Sequence, residues 1–377
     1  MHYLDNAATT AVSPAVAAVI STAMTECFGN PSSLYRLGVQ SEQALEKARG
    51  VIANSLGCLP KEIYFTACGT EGNNIAIQGA LAARAAWCKK IVCTGFEHPS
   101  VHKQIERFEK AGMQVVWVAP AQDGTLSADA IVDAVDDTTG LVTFLQVNNE
   151  IGTVLPAADI ARRVKAANPR TAVHVDGVQA WGRIAVSLSN TEIDSYSVSG
   201  HKVHAPKGVG ALYLRSGHNI TPPFLGGGQE RGMRPGTENI PYILGLAHAA
   251  GLFAGKEEEQ YVHVQALYNQ AREGLESLPN IQINSPQGGI AHVLNISVLG
   301  YKSEPLLHFL EGKGVYVSSG SACSKGAASH TLLAMNLPAA RIDSALRISF
   351  CAQNVPQDVT ALLAALQEGM GTLLRVN

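Results

Sequence analysis

The chain has no C-x-x-C pair, although its 377 residues include seven cysteines: Cys27, Cys58, Cys68, Cys88, Cys93, Cys323 and Cys351. That absence argues against a zinc knuckle or a dithiol motif, and no metal site is expected. The odd count and irregular spacing, in a chain this long, argue against a disulfide framework. Most of these thiols are expected to be buried as small hydrophobes. Long apolar runs are missing too. The longest candidate, "ILGLAHAAGLFAG", is short of a membrane span and holds His248, so no membrane association is expected. There is no excess of positive charge. The net charge of −3 implies no basic surface, and nucleic acid is not an expected partner. The opening "MHYLDNAATT" has no basic region followed by an apolar stretch, so a signal peptide is not expected and a cytoplasmic location is. Internal repeats and low-complexity tracts are also lacking.

What is present is an alternation. Between residues 60 and 215 the β-branched runs "EIYFT", "KIVCT", "QVVWVA", "LVTFLQV", "AVHVD", "SYSVS" and "GALYL" are separated in several places by helical periods. The helices are expected over Asn74–Lys89, Val101–Ala111 and Pro156–Ala167. This predicts an α/β fold built of parallel strand units, with a three-layer sheet covered on both faces. A long helix from about Pro241 to Leu278 is expected to bridge to a smaller α+β domain. That domain includes "HVLNISVL", a helix near Glu304–Gly312, "VYVSS", "ALRISF" and a C-terminal helix from Pro356. A chain of this length makes two domains the expectation.

Four stretches could carry chemistry. In "FTACGTEGNN" a strand ends and a helix begins. Glycine and the free N–H groups of a helix start suit an anion, but the lysine of a nucleotide-triphosphate loop is lacking. Taken alone, the loop reads first as a plain cap with Thr70 at the N-cap. In "VHVDGVQ", Asp176 closes a buried strand, at the sheet edge where α/β proteins bind ligands. It could hold a protonated ring nitrogen or simply cap the next turn. In "SVSGHKVHAPKG", Lys202 follows a strand end. A desolvated amine there can form a Schiff base, whereas a solvated lysine is the commoner fate. Ser199 and His201 beside it can both donate to a phosphate. In "SSGSACSKGAASH", Cys323 stands among residues that cannot pack a core. An exposed thiol is a liability unless it is used, and Lys325 could favour its thiolate.

These stretches, together with "YLDNAATT", "FGNPSS", "EHPSV", "VNNEIG", "GGGQERGMRPGTEN" and "ALRISF", resemble in order and spacing the cysteine desulfurases of the NifS/IscS-like branch. Those are fold-type I pyridoxal 5′-phosphate (PLP) enzymes of the class V aminotransferase superfamily. The resemblance runs nearly end to end. It implies a large PLP-binding domain over residues 15–257, and a small domain of residues 1–14 and 258–377 that carries the cysteine loop. It implies that Lys202 carries PLP, that Asp176 pairs with the pyridine nitrogen, and that His98 stacks on the ring and assists proton transfer. Gln179 is implied at the phenolic oxygen, and Gly69, Thr70, Ser199 and His201 at the phosphate. Thr237 would reach the phosphate of a second subunit, making a homodimer. Asn149 and Arg347 would hold the substrate carboxylate, and Cys323 would take the sulfur.

The implied reaction converts L-cysteine to L-alanine, with the sulfur left on Cys323 as a persulfide. It would then pass to an acceptor protein, for iron–sulfur clusters or for thiolated tRNA and cofactors. "SSGSAC" is similar to the long-loop branch of the family. Cys68 stands where many relatives have a small residue, and Pro235 where Ser is common. "SKGAASHTLLAM" departs from the housekeeping pattern and leaves the acceptor open. The competing expectations are another PLP reaction on the same fold, an aminotransferase or a selenocysteine lyase, and a non-catalytic scaffold for sulfur-transfer partners.

Overall fold

The computed structural model describes residues 1–319 and 328–375. In chain order its strands are β1 (His2–Tyr3), β2 (Ile63–Thr66), β3 (Lys90–Thr94), β4 (Gln114–Val118), β5 (Thr139–Leu145), β6 (Ala172–Asp176), β7 (Ser195–Ser199), β8 (Gly210–Leu214), β9 (Ile281–Ile283), β10 (Val293–Val298), β11 (Val315–Tyr316), β12 (Ser318–Ser319) and β13 (Ala345–Ser349). Seven of them form one sheet in the order β2-β8-β7-β6-β5-β3-β4.

Successive side chains on a strand point to opposite faces, and the sheet is apolar on both. On β8, Ala211 and Tyr213 join one cluster with the helices Pro14–Glu26, Arg36–Ser55, Ala157–Ala167 and Ile240–Phe253. Leu212 and Leu214 face the other way, toward Ile75 and Ala76 of the helix Gly69–Ala83. The helix Pro99–Lys110 covers that second face through Val101 and Ile105. Three layers result, as expected for a fold-type I architecture.

Two expectations need correction. The sheet is mixed: β8 runs antiparallel to both β2 and β7, while β7, β6, β5, β3 and β4 run parallel to one another. The single helix expected from Pro241 to Leu278 is two, Ile240–Phe253 and Glu257–Glu276. The break falls at Gly255, whose φ of +78° lies in the left-handed region that glycine adopts without strain. A second apolar core gathers around the four-stranded sheet β12-β13-β10-β9. Leu294, Ile296, Leu346 and Ile348 pack there against the helices Glu257–Glu276 and Pro356–Thr372, with Leu4 from the N-terminal segment.

One buried ion pair ties the glycine-rich stretch "GGGQERG" to the large sheet. Arg49 Nη1 lies 2.8 Å from Glu230 Oε2, with both side chains buried. The same carboxylate oxygen accepts the Phe65 N–H at 2.8 Å. Removing one partner of such a pair strands the other without solvent. Glu230→Gln is therefore expected to cost about 3–5 kcal/mol of unfolding free energy, read as a lower midpoint in urea denaturation.

Candidate active site

The carboxyl ends of the parallel strands open into a cleft of about 300 Å³. Asp176 ends β6 and is 5% exposed. Ser199 ends β7, and the single turn Gly200–Lys202 then turns His201 and Lys202 toward the same space. The helix Gly69–Ala83 starts at the cleft wall, and His98 enters as the residue that caps the helix Pro99–Lys110. Gln179, Thr70, Asn149 and Arg347 complete the lining among the expected residues. Sequence positions from Gly69 to Arg347 thus meet in one place.

Both readings of Asp176 hold. Its Oδ1 accepts the Val178 N–H at 3.0 Å, which shapes the turn, and its Oδ2 accepts from Asn73 Nδ2 at 2.8 Å. Lys202 is not a solvated surface lysine. Its Nζ donates to the carbonyls of Ala7 and Ala8, each at 2.7 Å. His98 Nδ1 accepts the Ser100 N–H at 3.1 Å and bonds the Ser100 hydroxyl at 2.8 Å. In the neutral ring the proton is therefore on Nε2. Burial lowers the His98 pKa; Asp176 opposes that and Lys202 adds to it. The ring is neutral at pH 7 and feels both charged groups. Burial, with the Lys202 charge second, brings His201 down to about 4. Arg347 donates from Nη2 to Asp5 Oδ1 at 2.8 Å and from Nη1 to the Asn149 carbonyl at 3.0 Å. Its Nε is buried with no hydrogen-bond partner, a donor left over for an incoming carboxylate.

The residue the sequence reading missed is Asn73. It is fully buried and organises the floor of the cleft. Its amide donates to Asp176 and, at 2.8 Å, to Ser100 Oγ, while its oxygen meets His174 Nε2 at 3.0 Å. One side chain thereby orients the acid and, through Ser100, the ring of His98. Asp5 was missed too, as the carboxylate that positions Arg347. Thr70 is not the N-cap expected for it: Cys68 is, and no side chain caps that helix start. Most thiols are not buried either. Among the described residues only Cys93 is; Cys27, Cys58, Cys68, Cys88 and Cys351 are partly exposed, and all six are unpaired. Thr237 is exposed and does not line the cleft. Cys323, Gly320 and Lys325 lie outside the described residues. The described flanks of that stretch are held at the cleft. Ser318 pairs with Arg347 across β12 and β13, and the Ser329 hydroxyl donates to Glu150, the residue after Asn149.

Residues 2–362 match the family described as aminotransferase class-V. The chain belongs to the class-V aminotransferase family. A relative named cysteine desulfurase from Nostoc sp. is 39% identical, over 97% of this chain and 92% of its own. One named cysteine desulfurase IscS from Methanosarcina thermophila is 38% identical, over 97% and 91% respectively. A solved structure titled NifS-like protein superposes with a TM-score of 0.93 at 35% identity, covering 98% of this chain and 99% of its own.

As in other class-V aminotransferases, PLP is the cofactor to be fitted, and the residues present fit it. The uncapped start of the helix Gly69–Ala83 leaves N–H groups for a phosphate beside Ser199 and His201. A buried carboxylate, Asp176, stands in the same cleft as the Lys202 amine. The cradle also has no room to spare: a Cβ built on Gly69 would lie 2.6 Å from Val178 Cγ2 and 3.6 Å from Ser199 Cβ. Gly69→Val is therefore expected to weaken PLP retention about tenfold or more, measured as cofactor lost on dialysis, with the fold checked by circular dichroism.

Proposed function

We propose that this chain is a PLP-dependent cysteine desulfurase that converts L-cysteine to L-alanine and takes the sulfur onto Cys323. The observation that carries the reading is the meeting of Lys202, Asp176, His98 and Arg347 in one cleft. PLP, once bound, acts as an electron sink for charge that develops at the substrate Cα. Lys202, Asp176, Gln179, Gly69, Thr70, Ser199, His201 and His98 are the residues proposed to hold it. Arg347 and Asn149 grip the substrate carboxylate, and Asp5 keeps the guanidinium oriented while they do. The Lys202 amine takes the Cα proton. The His98 ring, neutral at pH 7, exchanges a proton through Nε2 because Ser100 occupies Nδ1. The Cys323 thiolate attacks the substrate sulfur, the C–S bond breaks, and one S–S bond forms on the enzyme as alanine departs. No external oxidant is needed.

The placement of Ser318 beside Arg347 and of Ser329 on Glu150 supports the role of Cys323, because both ends of its stretch start at the substrate carboxylate site. The relatives carry the name cysteine desulfurase, which disfavours the aminotransferase, selenocysteine lyase and scaffold readings. The persulfide sulfur is proposed to pass to an acceptor protein, an iron–sulfur scaffold or a thiolation protein. The two apolar cores support a division into residues 15–257 and residues 1–14 with 258–377. Exposed Phe28, Leu34, Tyr35 and Leu225, with exposed Thr237, support a homodimer, which sedimentation measures. No helix among the described residues is long and apolar enough to cross a membrane. The unpaired thiols support a reducing, cytoplasmic setting.

The test is peptide mass spectrometry of the holoenzyme after incubation with L-cysteine. One added sulfur atom is expected on the Cys323 peptide. Sulfur found only on Cys68 or Cys351, or on no peptide while alanine accumulates, overturns the assignment of Cys323.

A further inference from the structure

Active-site chemistry uses the carboxyl ends of the strands. The opposite edge of the same sheet holds a second concavity, of about 420 Å³, that the reaction does not use. Its place follows from the topology. Asp194 precedes β7, Arg215 follows β8, and the antiparallel pairing sets Ser195 opposite Leu214. Ser199, at the far end of β7, lines the catalytic cleft. Four residue steps separate the ends of a five-residue strand, so the two sites are roughly 13 Å apart along the sheet.

Its lining carries four permanent cations, Arg84, Lys165, Arg170 and Arg215, against one carboxylate, Asp194. Asp194 is already saturated. Its side chain is 2% exposed, it accepts from Lys165 Nζ at 2.6 Å, and it pairs with Arg215 as well. Glu192 at the rim pairs only with Arg215. Arg84 is 7% exposed and has no carboxylate in hydrogen-bond contact. Its guanidinium donates from Nε to the Arg170 carbonyl and from Nη1 to the carbonyls of Ala80 and Asn219, with no partner at Nη2. Arg170 lies over the Trp87 ring, 4.3 Å from its centre, and uses Nη2 on the Asp137 carbonyl. The His218 side chain lines the same concavity at 2% exposure; its Nδ1 lies 3.5 Å from Asp194 Oδ1, and its Nε2 is buried without a hydrogen-bond partner. Burial lowers the pKa of Lys165 and of Arg84, which Asp194 opposes.

Gathering four cations around one carboxylate is costly unless an anion completes the set. We propose that this concavity is a binding site for a phosphate-class oxyanion, free or carried as the phosphoryl group of a small metabolite. Such an anion would accept from Arg84 Nη2 and from the unengaged donors of Arg170, beside His218. Guanidinium groups give the paired, directional contacts a tetrahedral oxyanion takes.

The probe is inorganic phosphate, titrated into holoenzyme so that the catalytic phosphate cup is already filled by the cofactor. Sodium chloride at equal ionic strength is the control. Saturable heat and a change in Trp87 fluorescence that Trp87→Phe removes are the expected results. Arg170→Glu changes an exposed residue and keeps the fold. It is expected to weaken phosphate ten- to a hundredfold, roughly the worth of a charge-assisted hydrogen bond, with cysteine turnover unchanged in phosphate-free buffer. Arg84→Gln should do the same. A parallel titration with glycerol 3-phosphate separates the two sources: tighter binding than phosphate marks a carried phosphoryl group, and equal or weaker binding marks the free ion. Absence of saturable binding above the chloride control, or wild-type affinity in both variants, overturns the proposal.

Discussion

Lys202→Ala is expected to lower alanine formation from L-cysteine by at least about 10³-fold. On the proposed assignment the amine would do two jobs at one atom: hold the cofactor before substrate arrives, and take the Cα proton afterwards. Among the described residues no other lysine lines the cleft. The variant loses a cation from the carbonyls of Ala7 and Ala8, so a structural explanation has to be separated from a chemical one. Lys202→Arg does this. A guanidinium keeps the charge and can still donate to both carbonyls, but it does not deprotonate near neutral pH and cannot serve as a base. Both variants should be inactive, and both should fold, as judged by circular dichroism. An arginine variant with more than a trace of activity would mean that Lys202 supplies only charge.

Asp176→Asn is the second large effect, with kcat/KM falling about 10²–10³-fold, the range found when a preorganised electrostatic group is removed. The substitution conserves shape. One amide oxygen can still accept from Val178 N or from Asn73, but not from both in the present arrangement, since one arm becomes a donor facing a donor. What is lost is the buried negative charge that, on the proposed assignment, would keep the cofactor's ring nitrogen protonated. A second readout distinguishes this from a packing defect. Asp176 is the neighbour that raises the His98 pKa against burial. Without it, the His98 ring should titrate at still lower pH in the apoprotein, as NMR of the imidazole resonances can follow. Unchanged His98 titration together with lost activity would point to distortion rather than electrostatics.

These two residues were legible because each sits where a short apolar strand stops and a chemically distinctive motif begins. His98, Arg347 and Asn149 were legible only through the family resemblance; their roles depend on distances that no local pattern encodes. Asn73 shows the limit. It lies inside a quoted motif, yet its three partners come from β6 (His174 and Asp176) and from the start of the helix Pro99–Lys110 (Ser100), and helical period alone marks it as an ordinary core-facing polar residue. Asp5 was hidden by a separation of 342 residues from Arg347. The direction of β8 could have been read. Only Gly200 to Val209 separate β7 from β8, and they contain no crossover helix. A parallel return needs a dozen residues or more, so that connection favours an antiparallel neighbour. The two-helix break was likewise present as Gly255, overlooked because the apolar and charged halves read as one period.

The N-terminal ten residues never leave the site. Asp5 grips Arg347 and bridges to Ser349, Ala7 and Ala8 hold Lys202, Ala7 also receives the Gln179 amide, and Thr9 meets His201. The cleft is thus a knot tied with both ends of the string. While the chain is being synthesised, its early part must wait for a strand made some 340 residues later before any of these bonds can close. Nascent protein should therefore be inert toward cysteine until Arg347 has emerged.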